Sequence, residues 1–421
     1  MEDFVINGGV RLRGTVRAAG ARNAALPLMA ASILADGETV LRDVPKLHDV
    51  TTMARLLDQL GVVNARAGDG SFHLETRDEM NSYARYEDVS RLRSSICVMG
   101  PLLAKRGAAR ISLPGGCPLG DRPVNLHLRG LAALGADIET EGGDLILKAK
   151  RLRGTEIFLG GPAGPTVLGT ANVLMAGVLA EGITVIEAAA CEPEIVDLAE
   201  MLNDMGAQIT GLGSPRLTVE GVDNLHGAEH TLIPDRIEAG TLMVAAGITN
   251  GEVEIENVRT EHLVAVTNTL RRIGLNVERR NGKVGVYSAR RLDPIDLTTQ
   301  PYPGFPTDLQ AQVMALLTLA DGTSVITEKI FPARFAHVAE LRRLGADLRT
   351  EGATVVVEGV RRLSGAPVAA TDPRASAALV LAGLSARGTT TVHDAACIDC
   401  GYEALDEKLK ALGADIRRVT K

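Results

Sequence analysis

A chain of 421 residues, 45% hydrophobic and 23% charged, is long enough for two or three globular domains. Its net charge of -7, its lack of Trp and its 3% aromatic content exclude nucleic-acid binding by a broad basic face or a stacking platform, and leave room for local cationic pockets. The acidic start MEDFVINGG has no apolar signal core, no run approaches the ~20 apolar residues of a membrane span, and five cysteines are an odd number suited to reduced thiols in a cytoplasm.

In chain order, the first predicted element is a strand in FVINGGVRLRGTVRAA. A helical run then opens at GARNAAL and ends before Gly37, where ADGETVLRDV begins a β-branched strand. The next helix closes at LDQLGV, with Gly61 as a left-handed C-cap, and an alternating hairpin follows. This unit of helix, strand, helix, strand, strand recurs along the chain. Glycines 37, 107, 182, 251, 322 and 388 open its first strand. Glycines 61, 135, 206, 274, 345 and 413 close its second helix, at gaps of 74, 71, 68, 71 and 68.

The chain ends complement one another. The fifth repeat continues VVVEGVRRLSGAPVAA and the third LTVEGVDNLHGAEHTL, whereas the sixth stops at ADIRRVTK. The N-terminal segment supplies the missing piece, so residues 1 to about 20 are expected to complete the sixth repeat. The fold class expected is α/β, with two similar domains of three βαβαββ-type repeats each and a cleft between them. The boundaries expected are 22–233, with the Cys117 loop, and 1–21 with 234–421. A six-unit solenoid would need atypical capping repeats, and these ends complete each other instead.

Fourteen residues before each strand-opening glycine stand Asn23, Arg93, Leu168, Ile237, Asp308 and Arg374, at the starts of six equivalent helices. A helix start offers free N–H groups and a positive dipole end, so starts that converge would suit a substrate with several phosphates or carboxylates. Arg22, Arg93, Arg122, Arg236 and Arg374 are planar forks for such anions. The plain structural alternative makes Asp235, Asp308 and Asp372 helix caps. One shared register with polar side chains favours a site.

The loop ISLPGGCPLGDRPVNLH sets Cys117 between glycines and prolines, where it has little helix or sheet to pack in, and nearby arginines would favour its thiolate. The pair Cys397 and Cys400, in C-x-x-C spacing, is a weak metal or redox signal without a second pair. No metal and no cofactor is expected.

These segments carry a resemblance. GARNAALP, VPKLHDV, SLPGGCPLGDRPVNLH, EPEIVDLAEML, PDRIEAGT, FPTDLQAQ, RFAHVAEL, TDPRASAALVLAG and GYEALDEKL together resemble the UDP-N-acetylglucosamine enolpyruvyl transferase family over the whole chain. The resemblance implies a pair of inside-out α/β domains of three repeats each. It implies a transferase of the peptidoglycan pathway, with a UDP-sugar and phosphoenolpyruvate as small-molecule substrates. The 3-hydroxyl of the sugar attacks C2 of phosphoenolpyruvate, C3 is protonated, and phosphate leaves a tetrahedral intermediate. Cys117 matches the loop cysteine of proton delivery or product release, and Asp308 the residue beside the attacking hydroxyl, as base or orienter. Asn23 and Thr307 match sugar contacts. Arg122, Pro123, Val124 and Leu126 match the nucleotide side, joined by Thr166, Val167 and Ile330 as substrate-binding positions. Arg93, Arg122, Asp372 and Arg374 match residues around the reacting phosphate and carboxylate. Arg22 stands where the family has lysine, and Cys400 where it has arginine, both on the donor side. Leu168, Asn125, Pro332 and Cys191 also depart from the family pattern. A paralogue acting on another nucleotide or sugar, and a non-catalytic nucleotide-sugar-binding homologue, are the competing readings. No nucleic-acid or membrane partner is expected, and the sequence carries no signal for oligomeric state.

Overall fold

The computed structural model describes residues 2–90, 92–113, 124–288 and 291–420. Six inner helices lead the six repeats: α1 Arg22–Ala31, α2 Met99–Arg106, α3 Val167–Gly177, α4 Arg236–Ile248, α5 Gln310–Leu317 and α6 Pro373–Ser385. Short 3-10 turns, Arg93–Val98 and Thr307–Leu309, run into α2 and α5. Asn23, Leu168, Ile237, Asp308 and Arg374 are each the second residue of their element, and Arg93 is the first of its turn. The register read from the glycine spacing therefore holds to within one residue.

Apart from α2, which ends in Lys105 and Arg106, the inner helices are apolar on nearly every side beyond their first turns, and such helices must be buried. In α4 every residue after Arg236 is buried, and in α6 every residue from Arg374 to Leu384. Small residues let them approach closely: a Cβ on Gly100 would lie 2.2 Å from the Asn172 carbonyl oxygen. The outer helices are one-sided. Val264–Ile273 buries Val266, Leu270 and Ile273 and carries Arg271 and Arg272 in its last turn. All six helix-closing glycines adopt positive φ, from 81° at Gly61 to 104° at Gly274. Among the strand-opening positions the pattern shifts once: Asn250, not Gly251, takes the left-handed conformation.

Each repeat ends in a four-stranded sheet of one plan. In the fifth, Asp296–Thr298 runs parallel to Thr323–Thr327, which pairs antiparallel with Thr354–Glu358, itself hairpin-paired to Asp347–Glu351. In the sixth, the N-terminal strand Glu2–Asn7 takes the third place, antiparallel to both Thr389–His393 and Asp415–Thr420. Arg13–Arg17 then supplies the parallel edge of the fourth sheet beside Glu252–Glu256. Glu229–Thr231 does the same for the first sheet beside Glu38–Arg42. Arg418 secures the N-terminal strand, donating to Glu2 at 2.7 Å and to Asp399 at 2.6 Å.

The chain forms two compact units, one from residues 2–19 with 234–420 and one from the described part of 20–233. Each has its own apolar core. Among the described residues no helix is long and apolar enough to cross a membrane.

Candidate active site

In the 234–420 unit, the three aspartates at the helix starts divide into two kinds. Asp235 caps α4, accepting from the Ile237 and Glu238 N–H groups at 2.8 and 2.9 Å. Asp372 caps α6, accepting from Arg374 and Ala375 N–H at 3.0 and 3.1 Å. For these two the cap alternative describes what the carboxylate does. Asp308 is not the N-cap of its element, whose N-cap is Pro306. It accepts from Arg334 Nη1 at 2.8 Å and Arg374 Nη2 at 3.3 Å, one arginine on each oxygen.

A fully buried carboxylate stands behind this cluster. Glu328, just past strand Thr323–Thr327, accepts from Thr299 Oγ1 at 2.7 Å, Thr307 Oγ1 at 2.9 Å and the N–H groups of Ile330 and Phe331 at 2.8 and 3.0 Å. Arg334 Nη1 also donates to Thr307 Oγ1 at 3.1 Å. A buried ion is tolerated only where such bonds satisfy it. Glu328 thereby fixes Thr307, the turn bearing Ile330, and the approach of Arg334 to Asp308.

Arg374 is 4% exposed and lies with its guanidinium carbon 5.0 Å from the centre of the Tyr402 ring. Burial works against its charge, but Tyr402, Asp308 and Asp235 outweigh it and push its pKa further up, so it remains a cation. It also donates to the Gly401 carbonyl at 3.3 Å. Cys400, one residue before, closes the 3-10 turn Ala395–Cys400 and is partly buried. His337, close to Arg334, is held neutral by burial first and Arg334 second, its pKa pushed down to about 3.

In the 20–233 unit, Arg22 at the start of α1 donates through Nε to Asp49 Oδ2 at 2.8 Å and through Nη1 to Asn23 Oδ1 at 3.3 Å. Asp49 sits in the first turn of helix His48–Gln59. Arg93 Nη1 is buried without a hydrogen-bond partner among the described residues. Leaving such a donor unpaired costs on the order of 1–3 kcal/mol, which a bound anion would recover. Thr166 caps α3 through the Gly169 N–H at 3.2 Å, with Val167 and Leu168 partly buried beside it. Val124 and Leu126 are half-buried at the start of helix Asn125–Ala133, and the thiol of Cys191 is pushed up by burial and then Glu192. Cys117, Arg122 and Pro123 lie outside the described residues.

The structure thus brings Thr307, Asp308 and Arg374 together, and Arg22 with Asn23. Sequence reasoning overlooked Asp49, Glu328 and Arg334. Two of them, Asp49 and Arg334, stood inside quoted segments, VPKLHDV and RFAHVAEL. Among the described residues no three or more His, Cys, Asp or Glu side chains are grouped to hold a metal. In the C-x-x-C pair, Cys397 Sγ lies 3.2 Å from Ser376 Oγ, its thiol pushed up by burial.

Arginine at helix starts, on a fold of six repeats, suits a transferase of anionic substrates, and the chain's relatives make it an enolpyruvyl-type transferase. Residues 6–409 match the family described as EPSP synthase (3-phosphoshikimate 1-carboxyvinyltransferase), and the chain belongs to that family. Its relatives include the UDP-N-acetylglucosamine 1-carboxyvinyltransferase of Akkermansia muciniphila, 50% identical over 100% of this chain and 99% of that one. UDP-N-acetylglucosamine 1-carboxyvinyltransferase 2 of Carboxydothermus hydrogenoformans is 51% identical, with all of both chains covered. Among solved structures, the enolpyruvyl transferase NikO from Streptomyces tendae superposes with a TM-score of 0.90 at 26% identity, covering 100% of this chain and 99% of that one. EPSP synthase from Acinetobacter baumannii shares the fold, with a TM-score of 0.74 at 19% identity over both whole chains.

Proposed function

We propose that this chain transfers the enolpyruvyl group of phosphoenolpyruvate to the 3-hydroxyl of UDP-N-acetylglucosamine and releases phosphate, in the cytoplasm, as the first committed step of peptidoglycan synthesis. The observation that carries this reading is identity near 50% along the full length of relatives bearing that name. The site geometry adds chemistry to it. As the sugar oxygen bonds to C2 of the donor, the hydroxyl gives up its proton and C3 gains one; the C2–O bond to phosphate then breaks as C3 loses a proton, which leaves with the phosphate.

Asp308 serves the acceptor hydroxyl. Both of its oxygens already accept from arginines, so it acts as an orienter more than as a free base. Arg374 and Arg93 hold the developing anion, joined by Arg122 from the loop, and Asp372 fixes the α6 start from which Arg374 projects. Asn23 and Thr307 bind the sugar. Pro123, Val124, Leu126, Thr166, Val167 and Ile330 border the nucleotide. Cys117 delivers the proton or promotes release. Arg22 meets the donor, but Asp49 already takes part of its charge, and Cys400 offers none. This supports weak binding of phosphoenolpyruvate.

Phosphate release on mixing the protein with both substrates tests the reading. It should require both, and nucleotide-sugar binding without any phosphate release would replace transfer by a binding role.

A further inference from the structure

We propose a second, nucleotide-sized anion site in the unit of residues 2–19 and 234–420, at the C-terminal ends of its inner helices. A cavity of about 750 Å³ opens there, lined by Ile248 at the end of α4 and by Arg11, Arg13, Arg361 and Tyr287. That volume lies inside the range of about 300–1,000 Å³ usual for ligand pockets.

The arginines come from the repeats. Arg11, Arg291 and Arg361 follow the third strand of three successive sheets, three or four residues past Asn7, Tyr287 and Glu358. Arg291 pairs with Asp321 at 3.0 Å. Arg11, Arg13 and Arg361 make no ion pair among the described residues, and all three are exposed. Among the described lining residues three unpaired guanidinium charges therefore stand with one carboxylate, Glu252, and the partial negative charge of the α4 end, about half a unit. The balance is positive.

Neutralising helix ends does not account for this. The other unit has the same three inner helix ends, and its equivalent positions past Thr76, Lys148 and Glu220 carry Glu79, Arg151 and Asp223. There the charges are mixed, and Arg151 pairs with Glu181 at 3.2 Å. The basic ring belongs to one unit only, so the fold does not require it.

Tyr287 identifies the ligand class. The residue is 45% exposed and lines the cavity, which leaves an aromatic group within reach of a base, and Asn250 and Ser288 add polar groups to the lining. Phosphates on the arginines with a base on Tyr287 describe a nucleoside polyphosphate. The site is independent of the transferase reading, since none of its residues is assigned there.

The test is calorimetry on the full chain with ATP as probe, without metal, at saturating UDP-N-acetylglucosamine. One ATP should bind per chain, more weakly as salt rises. Arg11→Gln with Arg361→Gln should weaken it about tenfold or more, and Tyr287→Ala should weaken ATP but not tripolyphosphate. All three positions are exposed, and circular dichroism verifies the fold. No binding at about 5 mM with the nucleotide sugar saturating, or indifference to the double change, overturns the site. Equal loss of ATP and tripolyphosphate in Tyr287→Ala, or no loss of either, overturns the nucleotide assignment.

Discussion

Arg22 is held by Asp49: its Nε lies 2.8 Å from Oδ2, and Nη2 reaches the same oxygen. A fork fixed on a carboxylate has less charge to give a bound anion than a mobile ammonium has. Cys400 compounds this, since no cation stands where the family resemblance places one. With about 1.5–3 kcal/mol per charged contact, Arg22→Lys with Cys400→Arg should lower KM for phosphoenolpyruvate by about tenfold to a hundredfold. Steady-state kinetics at saturating UDP-N-acetylglucosamine measures it, and an unchanged KM would mean that other groups already balance the donor.

Asp308 should be indispensable to turnover and dispensable to folding. Asp308→Asn keeps the shape and removes the charge between Arg334 and Arg374. We expect kcat to fall about 10²–10⁴-fold, with KM for the nucleotide sugar changing far less. A loss confined to KM would make Asp308 a binding residue only.

Glu328 should matter twice. Glu328→Ala leaves Thr299, Thr307 and two backbone N–H groups without their acceptor in a fully buried position. Thermal and urea unfolding should show a loss on the order of 2–5 kcal/mol. Glu328→Gln retains an acceptor and should fold better, yet kcat should fall in both as Arg334 loses its guide. Wild-type kcat in Glu328→Gln would separate Glu328 from the chemistry.

The fold was most legible in the sequence where the chain repeats. Glycine spacing located six helix starts, and the truncated sixth repeat pointed to Glu2–Asn7 as its missing strand, because each glycine marks a backbone turn that recurs locally. The partners of the site residues were not legible. Asp308 reaches Arg334 and Arg374 across 26 and 66 residues, and no local pattern encodes that choice. Spacing does separate the capping Asp235 and Asp372, 16 residues before Gly251 and Gly388, from Asp308, 14 before Gly322, a two-residue offset that treating all three as helix-start aspartates passes over.

Stability should depend on pH through His230. Its protonated ring donates through Nε2 to Asp197 Oδ1 at 2.9 Å and through Nδ1 to Asp204 Oδ2 at 3.3 Å, linking strand Glu229–Thr231 to helix Pro193–Asp204. Burial opposes its charge, the two aspartates outweigh burial, and its pKa is raised above 6.5. A raised histidine stabilises the fold fully below its unfolded pKa and loses that contribution as pH rises through the folded one. The melting temperature of wild type should therefore exceed that of His230→Gln most at low pH, and the gap should narrow above neutrality. A gap that widens with pH would reverse the assignment.

The cysteines should react in a fixed order. Cys97 is fully buried and its thiol is pushed up to about 12, so it should alkylate slowest. Cys117, on its Gly-Pro loop near arginines, should alkylate first, and more slowly with UDP-N-acetylglucosamine bound. Peptide mapping after brief iodoacetamide treatment reads the order, and labelling of Cys97 or Cys191 ahead of Cys117 would contradict it.

The central claim is enolpyruvyl transfer by this chain, and phosphate release tests it most directly. With UDP-N-acetylglucosamine and phosphoenolpyruvate together, the natural chain should release phosphate, saturating only at high phosphoenolpyruvate, and the nucleotide sugar should gain the mass of one enolpyruvyl group. Neither substrate alone should release any. Absence of phosphate from both the natural chain and Arg22→Lys with Cys400→Arg, while calorimetry still registers bound UDP-N-acetylglucosamine, would contradict the claim.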